Sequence, residues 1–196
     1  KRAEYRNCIK FGREGLSNAG NNPYFKYLVS QSYMKLNQYE NALTSLEGVG
    51  VKPENKEEYN LLYLNILMTL EYFPEAESKI TELLKIHTRN PRYQEFFANF
   101  HYYKKYKDGK GPDFKKYHYD DKELDLKKAL KIYSNLIKLT GSKEYFSHTG
   151  WLKFLLYVGK SNKTKATKKE AIKELTIATK HGNNKSKATA HYRLGL

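Results

Sequence analysis

The chain has 196 residues, and 36 Lys and Arg against 21 Asp and Glu leave a formal net charge of +15. Apolar residues make up 39% and aromatic residues 14%, enough to build a core, so general disorder is excluded. The single Cys8 excludes a disulfide framework and a Cys-based zinc site, no signal peptide is visible, and no apolar run approaches the roughly 18 residues a membrane-spanning helix needs.

In chain order, a lone helix is expected over residues 2–18. In 23–36, Phe25, Leu28, Val29, Tyr33 and Leu36 recur at helical spacing and form one buried stripe. Asn22 caps that helix, and Pro23 suits its first turn because its missing N–H would lack a partner there anyway. Residues 39–49 follow, with Ala42, Leu43, Leu46 and Val49 on one face. Residues 57–71 and 74–87 form a second pair, Pro74 standing at the tolerated start of its helix. Residues 91–106 and 123–139 form a third, Gly141 is the stop, and Ser142 caps what comes next. Residues 143–158 and 168–180 form a fourth, where Thr167 and Glu170 have the capping-box pattern. A last helix starts near 185. No stretch alternates strictly between apolar and polar, so no strand is expected.

The pairs repeat. Asn22-Pro23 recurs as Asn90-Pro91 at an offset of 68, twice 34, and Tyr39 with Ala42 recurs as Phe73 with Ala76 at an offset of 34. One period back, the same slots hold Tyr5 and Cys8. Ala129 and Ala171 take the Ala slot after gaps of 53 and 42, longer than 34 by 19 and 8, which implies insertions near 108–122 and 159–166. Small residues fit that slot because the axes of a helical hairpin approach to about 8–10 Å where they cross. A hairpin cannot cover its own apolar face, so hairpins stack. Residues 1–196 are therefore expected to form a single repeat domain. A chain that opens on Lys1 and not Met is read as part of a longer one.

Two helices per period of 34, Ala in the second helix with an aromatic three positions before it, Tyr33 in the first helix and Pro near the boundary resemble the tetratricopeptide repeat (TPR). Tyr192-Arg193-Leu194-Gly195 resembles the first helix of a further repeat, with its Leu-Gly pair. The chain departs from the pattern: the family's Trp is missing from most first helices, and Leu64 and Trp151 are read as replacing its small residue. The resemblance implies an all-α fold, stacked antiparallel helix pairs in a right-handed α-solenoid.

It also implies that the first helices line a concave groove. They would offer Tyr24, Tyr27, Gln31 and Met34; then Glu58, Leu61, Asn65 and Met68; then Arg92, Glu95, Asn99 and Tyr102; then Tyr145, His148, Leu152 and Leu155. Gln31, Asn65 and Asn99 are spaced by 34, a ladder of side-chain amides able to pair with a peptide backbone of any sequence. Tyr24, Tyr27 and Tyr102 add apolar area with a polar tip, favoured at interfaces. Some members of the family grip a C-terminal carboxylate with a Lys and an Asn on the first repeat. Tyr27 and Gln31 stand in those places, so that clamp is absent in its usual form.

The charge is one-sided. Residues 1–98 hold 13 basic and 12 acidic residues; residues 99–196 hold 23 and 9. Lys104, Lys105, Lys107, Lys110, Lys115 and Lys116 form one basic cluster, and Lys160, Lys163, Lys165, Lys168 and Lys169 another. Such an excess suits contact with something anionic, a nucleic acid or an anionic membrane surface. Against a nucleic acid, Arg193 is the only Arg beyond Arg92, and phosphate forks favour Arg over Lys.

Signals for chemistry are weak. The six His make no HExxH or His pair at metal spacing, and His118 with Asp120 and Asp121 reads as an acidic lead into a helix. Gly109-Lys110-Gly111 lacks the Walker spacing. Trp151, on a stripe with Phe154 and Leu155, reads as core. The expectation is a non-catalytic scaffold, without cofactor or metal, that holds a peptide or helix of another protein. No targeting signal is present, so the location is read as cytoplasmic or left open.

Overall fold

The computed structural model describes residues 1–20, 22–47, 56–103, 119–159 and 165–195. Among them it has ten α-helices and no strand: α1 (Arg2–Ala19), α2 (Pro23–Lys35), α3 (Tyr39–Leu46), α4 (Lys56–Thr69), α5 (Phe73–Ile86), α6 (Pro91–Tyr103), α7 (Tyr119–Thr140), α8 (Phe146–Val158, preceded by a 3₁₀ turn Lys143–Tyr145), α9 (Lys165–His181) and α10 (Asn184–Leu194). The chain divides into two compact units, residues 1–81 and 82–196, with the boundary inside α5.

In the first unit α1 packs on α2, α2 on α3, and α4 on both α2 and α3. Asn22 caps α2 by accepting from the Tyr24 N–H at 2.9 Å, as the sequence implied. Val29, Tyr33, Ala42, Leu46 and Ile66 form the core, with Ile9 of α1 against them. Ala42 is fully buried at the α2–α3 crossing, where the Ser30 hydroxyl donates to its carbonyl at 2.9 Å. On the other side of α2, a Cβ at Gly12 would stand 2.4 Å from a Val29 methyl, so α1 approaches because that position has no side chain.

The turns after α2 and α4 are built alike. Asn37 (φ 60°) and Glu71 (φ 67°), one repeat period apart, are both left-handed. The Gln38 N–H reaches back to the Tyr33 carbonyl and the Tyr72 N–H to that of Leu67, both at 2.9 Å. Asn37 bonds Met34, and Glu71 bonds Met68, in the same way. Each is a Schellman closure that satisfies the last carbonyls of a helix.

In the second unit α6 packs on α7, α7 on α8, α8 on α9, and α10 on α9 and α8. Ala98, Leu126, Ala129, Tyr133, Leu136, Leu152, Leu155 and Leu156 form its main core; Leu175, Ala178 and Ala190 form a smaller one toward α10. Ala76 in the first unit, and Ala129 and Ala171 in the second, are fully buried, as the repeat spacing requires. Gly141 (φ 67°) ends α7, and the Ser142 hydroxyl accepts from the Glu144 N–H.

Three sequence expectations are corrected. The small residue of the fourth pair is Gly150, not Trp151: a Cβ on Gly150 would come within 3.0 Å of the Ala171 carbonyl. Leu152 and Leu155 are core residues, not groove residues. Thr167 lies inside α9, which starts at Lys165, and so does not cap it. Gly195 has left-handed geometry at the end of α10. Of the expected insertions, residues 108–118 and 160–164 lie outside the described residues, while α7 already begins at Tyr119 and α9 at Lys165.

Candidate functional site

The first unit has an open cavity of about 680 Å³ between α1, α2 and α4. Side chains three and four apart share one face of a helix. That spacing brings Leu28, Gln31 and Lys35 of α2, Leu62, Asn65 and Thr69 of α4, and Glu4 and Cys8 of α1 to the same space. The volume is in the range of ligand pockets, and the lining mixes Cys8, Leu28, Met34 and Leu62 with a larger number of polar and charged side chains. Gln31 donates its amide N–H to the Tyr27 hydroxyl at 2.7 Å. Tyr27 thus orients the amide, and the Gln31 carbonyl oxygen stays without a partner among the described residues. The exposed Asn65 side chain likewise makes no hydrogen bond among them; only its backbone carbonyl is engaged, by Thr69. Two of the three expected amides therefore face one cavity. Tyr24 is 64% exposed beside them, tilted against Phe25. The α1 contribution from Glu4, Tyr5 and Cys8 was missed from sequence, because only first helices were expected to line the groove.

Asn99 and Tyr102 belong to the second unit, in a different setting. The buried Tyr133 donates its hydroxyl to the Asn99 carbonyl oxygen at 2.5 Å. Its ring stacks on His148, centroids 4.6 Å apart and 9° from parallel. Burial, then the Arg193 and Lys185 charges, push the His148 imidazole down to about 4, so it is neutral at pH 7. Tyr145 is buried but donates its hydroxyl to Glu95 at 3.2 Å. Burial first, and Glu95 second, hold the hydroxyls of both Tyr133 and Tyr145 above the usual phenol range. Trp151 donates its indole N–H to the Tyr102 hydroxyl at 3.0 Å and stacks on Phe154. The Arg193 guanidinium lies 5.3 Å over the Trp151 ring and donates to the Ser147 carbonyl at 2.5 Å. Trp151 is half-buried and packs against the main core of the unit, in line with the sequence, and adds a polar bond to that packing. Tyr133 and Arg193 were not singled out: Tyr133 is on a second helix, and Arg193 is brought in only by the docking of α10.

The basic cluster Lys104, Lys105, Lys107, Lys110, Lys115 and Lys116 lies outside the described residues, as does His118. Among the described residues no group of three His, Cys, Asp or Glu is placed to hold a metal, and no helix is long and apolar enough to cross a membrane.

No family model matches the chain, and no curated protein matches it. Solved structures do. YrrB, described as a TPR protein with an unusual peptide-binding site, superposes with a TM-score of 0.61 at 14% identity, over 99% of this chain and 85% of that one. The fold is of the tetratricopeptide-repeat type. MamA from Desulfovibrio magneticus RS-1 is similar too, with a TM-score of 0.61 at 14% identity over 90% of this chain and 86% of that one. Another MamA structure gives 0.59 at 14% identity over 98% of this chain and 90% of its own. At that identity the likeness establishes the fold alone.

Proposed function

We propose that the chain is a non-catalytic protein–protein interaction scaffold whose first unit holds an extended segment of a partner protein in the cavity between α1, α2 and α4. The observation that carries this is the pair Gln31 and Asn65. Two amides one repeat period apart face one partly apolar cavity, each with hydrogen-bonding capacity left over among the described residues. An amide offers both a donor and acceptors, so a peptide backbone satisfies it whatever the peptide's sequence. Leu28, Leu62 and Met34 supply the apolar floor. Tyr27, bonded to Gln31, and Tyr24, one turn before it on the same helix, are of a residue type that adds contact area at low entropy cost. For the lysines at 104–116 the proposed role is an effect on the rate of encounter with an anionic partner.

A displayed random-peptide library, selected on the immobilised chain, tests the proposal. The selected peptides should bind the Gln31→Ala, Asn65→Ala double variant about 5- to 150-fold more weakly, since each lost hydrogen bond is worth roughly 0.5–1.5 kcal/mol. Selected peptides that bind the double variant as well as the parent sink the cavity as the binding site.

A further inference from the structure

The lining of the first unit's cavity is graded by depth. Glu4, Gln31, Lys35 and Asn65 are exposed, Cys8, Leu28, Met34 and Leu62 are half-buried, and Ser32 is only 4% exposed. The two small polar residues beneath the rim, Cys8 and Ser32, turn to a single carbonyl. The Ser32 hydroxyl donates to the Leu28 carbonyl at 2.8 Å, and the Cys8 thiol lies 4.0 Å from the same oxygen. With those groups engaged, Cys8, Leu28, Ser32, Met34 and Leu62 present carbon and sulfur surface, which behaves as apolar.

Ser32 breaks the pattern of the repeat. Positions 32, 66 and 100, spaced by 34, hold Ser, Ile and Phe. Ile66 and Phe100 are fully buried. Ile66 of α4 shares one core cluster with Ala42 and Leu46 of α3, the helix before it. One period earlier the equivalent pair is Ser32 of α2 with Cys8 of α1, and these two line the cavity. Interiors are packed to crystal density, so a slot made for Ile or Phe and given Ser leaves room. That room opens on the exposed amides of Gln31 and Asn65. Such a space favours an apolar group and disfavours a charge, which would lose its hydration there.

We infer that one large apolar side chain of the partner's segment (Leu, Ile, Met or Phe) enters over Ser32 and fills the slot that Ile66 fills in the next repeat. The inference rests on the reading of the cavity as a peptide site and adds what the peptide must carry. The backbone beside the anchor pairs with Gln31 and Asn65, while Cys8 and Ser32 determine specificity by being small.

The probes are peptides from the random library that bind the parent chain and lose affinity for the Gln31→Ala, Asn65→Ala double variant. Each should contain a large apolar residue, and replacing that residue by Ala should weaken binding about 10-fold or more, as loss of a buried Leu or Phe side chain does. Ser32→Ile, which fills the slot from within, should weaken the unaltered peptides by a similar factor. Where Ser32→Ile shows no cooperative urea transition, Cys8 decides in the parent chain, because it is the only Cys and its alkylation by N-ethylmaleimide reports on this slot. The bound peptide should slow that reaction several-fold, and its Ala version at equal occupancy should not. Peptides that need the amides yet tolerate both the Ala replacement and Ser32→Ile overturn the anchor slot and leave the cavity reading standing. Equal slowing of alkylation by the two peptides also overturns it. A library that yields only peptides indifferent to the amide double variant overturns the cavity reading and the anchor slot together.

Discussion

Asn65 and Asn99 occupy equivalent places in successive repeats, yet their energetic roles differ. The Asn65 side chain is exposed and makes no hydrogen bond among the described residues, so Asn65→Ala should change stability in urea by no more than about 0.5 kcal/mol. Asn99 accepts from the buried Tyr133 hydroxyl, and Asn99→Ala leaves that hydroxyl without a protein partner, at a cost of about 1–3 kcal/mol. Equal urea midpoints for the two variants would contradict this assignment. The spacing made the amide positions legible in the sequence. The difference between them was not, because it depends on Tyr133 reaching across from another helix.

His148 gives a second residue-scale prediction. Unfolded, its imidazole takes a proton near 6.5; folded, burial and the Arg193 and Lys185 charges lower that to about 4. Between those values the unfolded chain binds more protons. Stability contributed by His148 is therefore complete above about pH 6.5 and falls as pH drops toward 4, by up to about 3 kcal/mol. His148→Gln should flatten the pH dependence of the denaturant midpoint across that window. A slope as steep as the parent's would place the acid sensitivity elsewhere.

At the scale of the helix, the recurrent Ala slot carries the hairpins. Ala42 is fully buried beneath α2, and Ala42→Leu should overpack the crossing and cost about 1–3 kcal/mol. An unchanged midpoint would mean that the α2–α3 crossing is more loosely packed than described. The Schellman turns offer the opposite sign. Glu71 is held left-handed, which costs a residue with a Cβ roughly 1–2 kcal/mol, so Glu71→Gly should stabilise by up to about 1 kcal/mol after the extra chain entropy of glycine. A destabilised Glu71→Gly would show that contacts of the Glu71 side chain outweigh the backbone strain.

The helices themselves, the Asn22 and Ser142 caps and the Ala slots could be read from periodicity, because each is a local pattern. The turn at Glu71 could not, since Glu carries no left-handed preference. Nor could the choice of Gly150 over Trp151: beyond an insertion the repeat count slips, and one residue turns a helical face by about 100°. Only the packing of α8 on Ala171 fixes that register. The early starts of α7 and α9 were hidden for a similar reason, as charged first turns mask the apolar stripe that marks a helix.

For the whole molecule, the net charge and the amide-lined cavity belong to different units. The first unit has no net charge and carries the amide-lined cavity, while the second carries all of the excess. Reversing lysines within 104–116 to Glu should therefore slow association with an anionic partner and flatten its salt dependence, while leaving dissociation nearly unchanged. A large rise in the dissociation rate instead would make those lysines part of the contact itself. The most direct test of the central claim is a map of amide hydrogen exchange with and without a library-selected peptide. The account predicts that added protection concentrates in residues 4–8, 28–35 and 62–69, the stretches that line the cavity. Protection confined to residues 82–196 would contradict it.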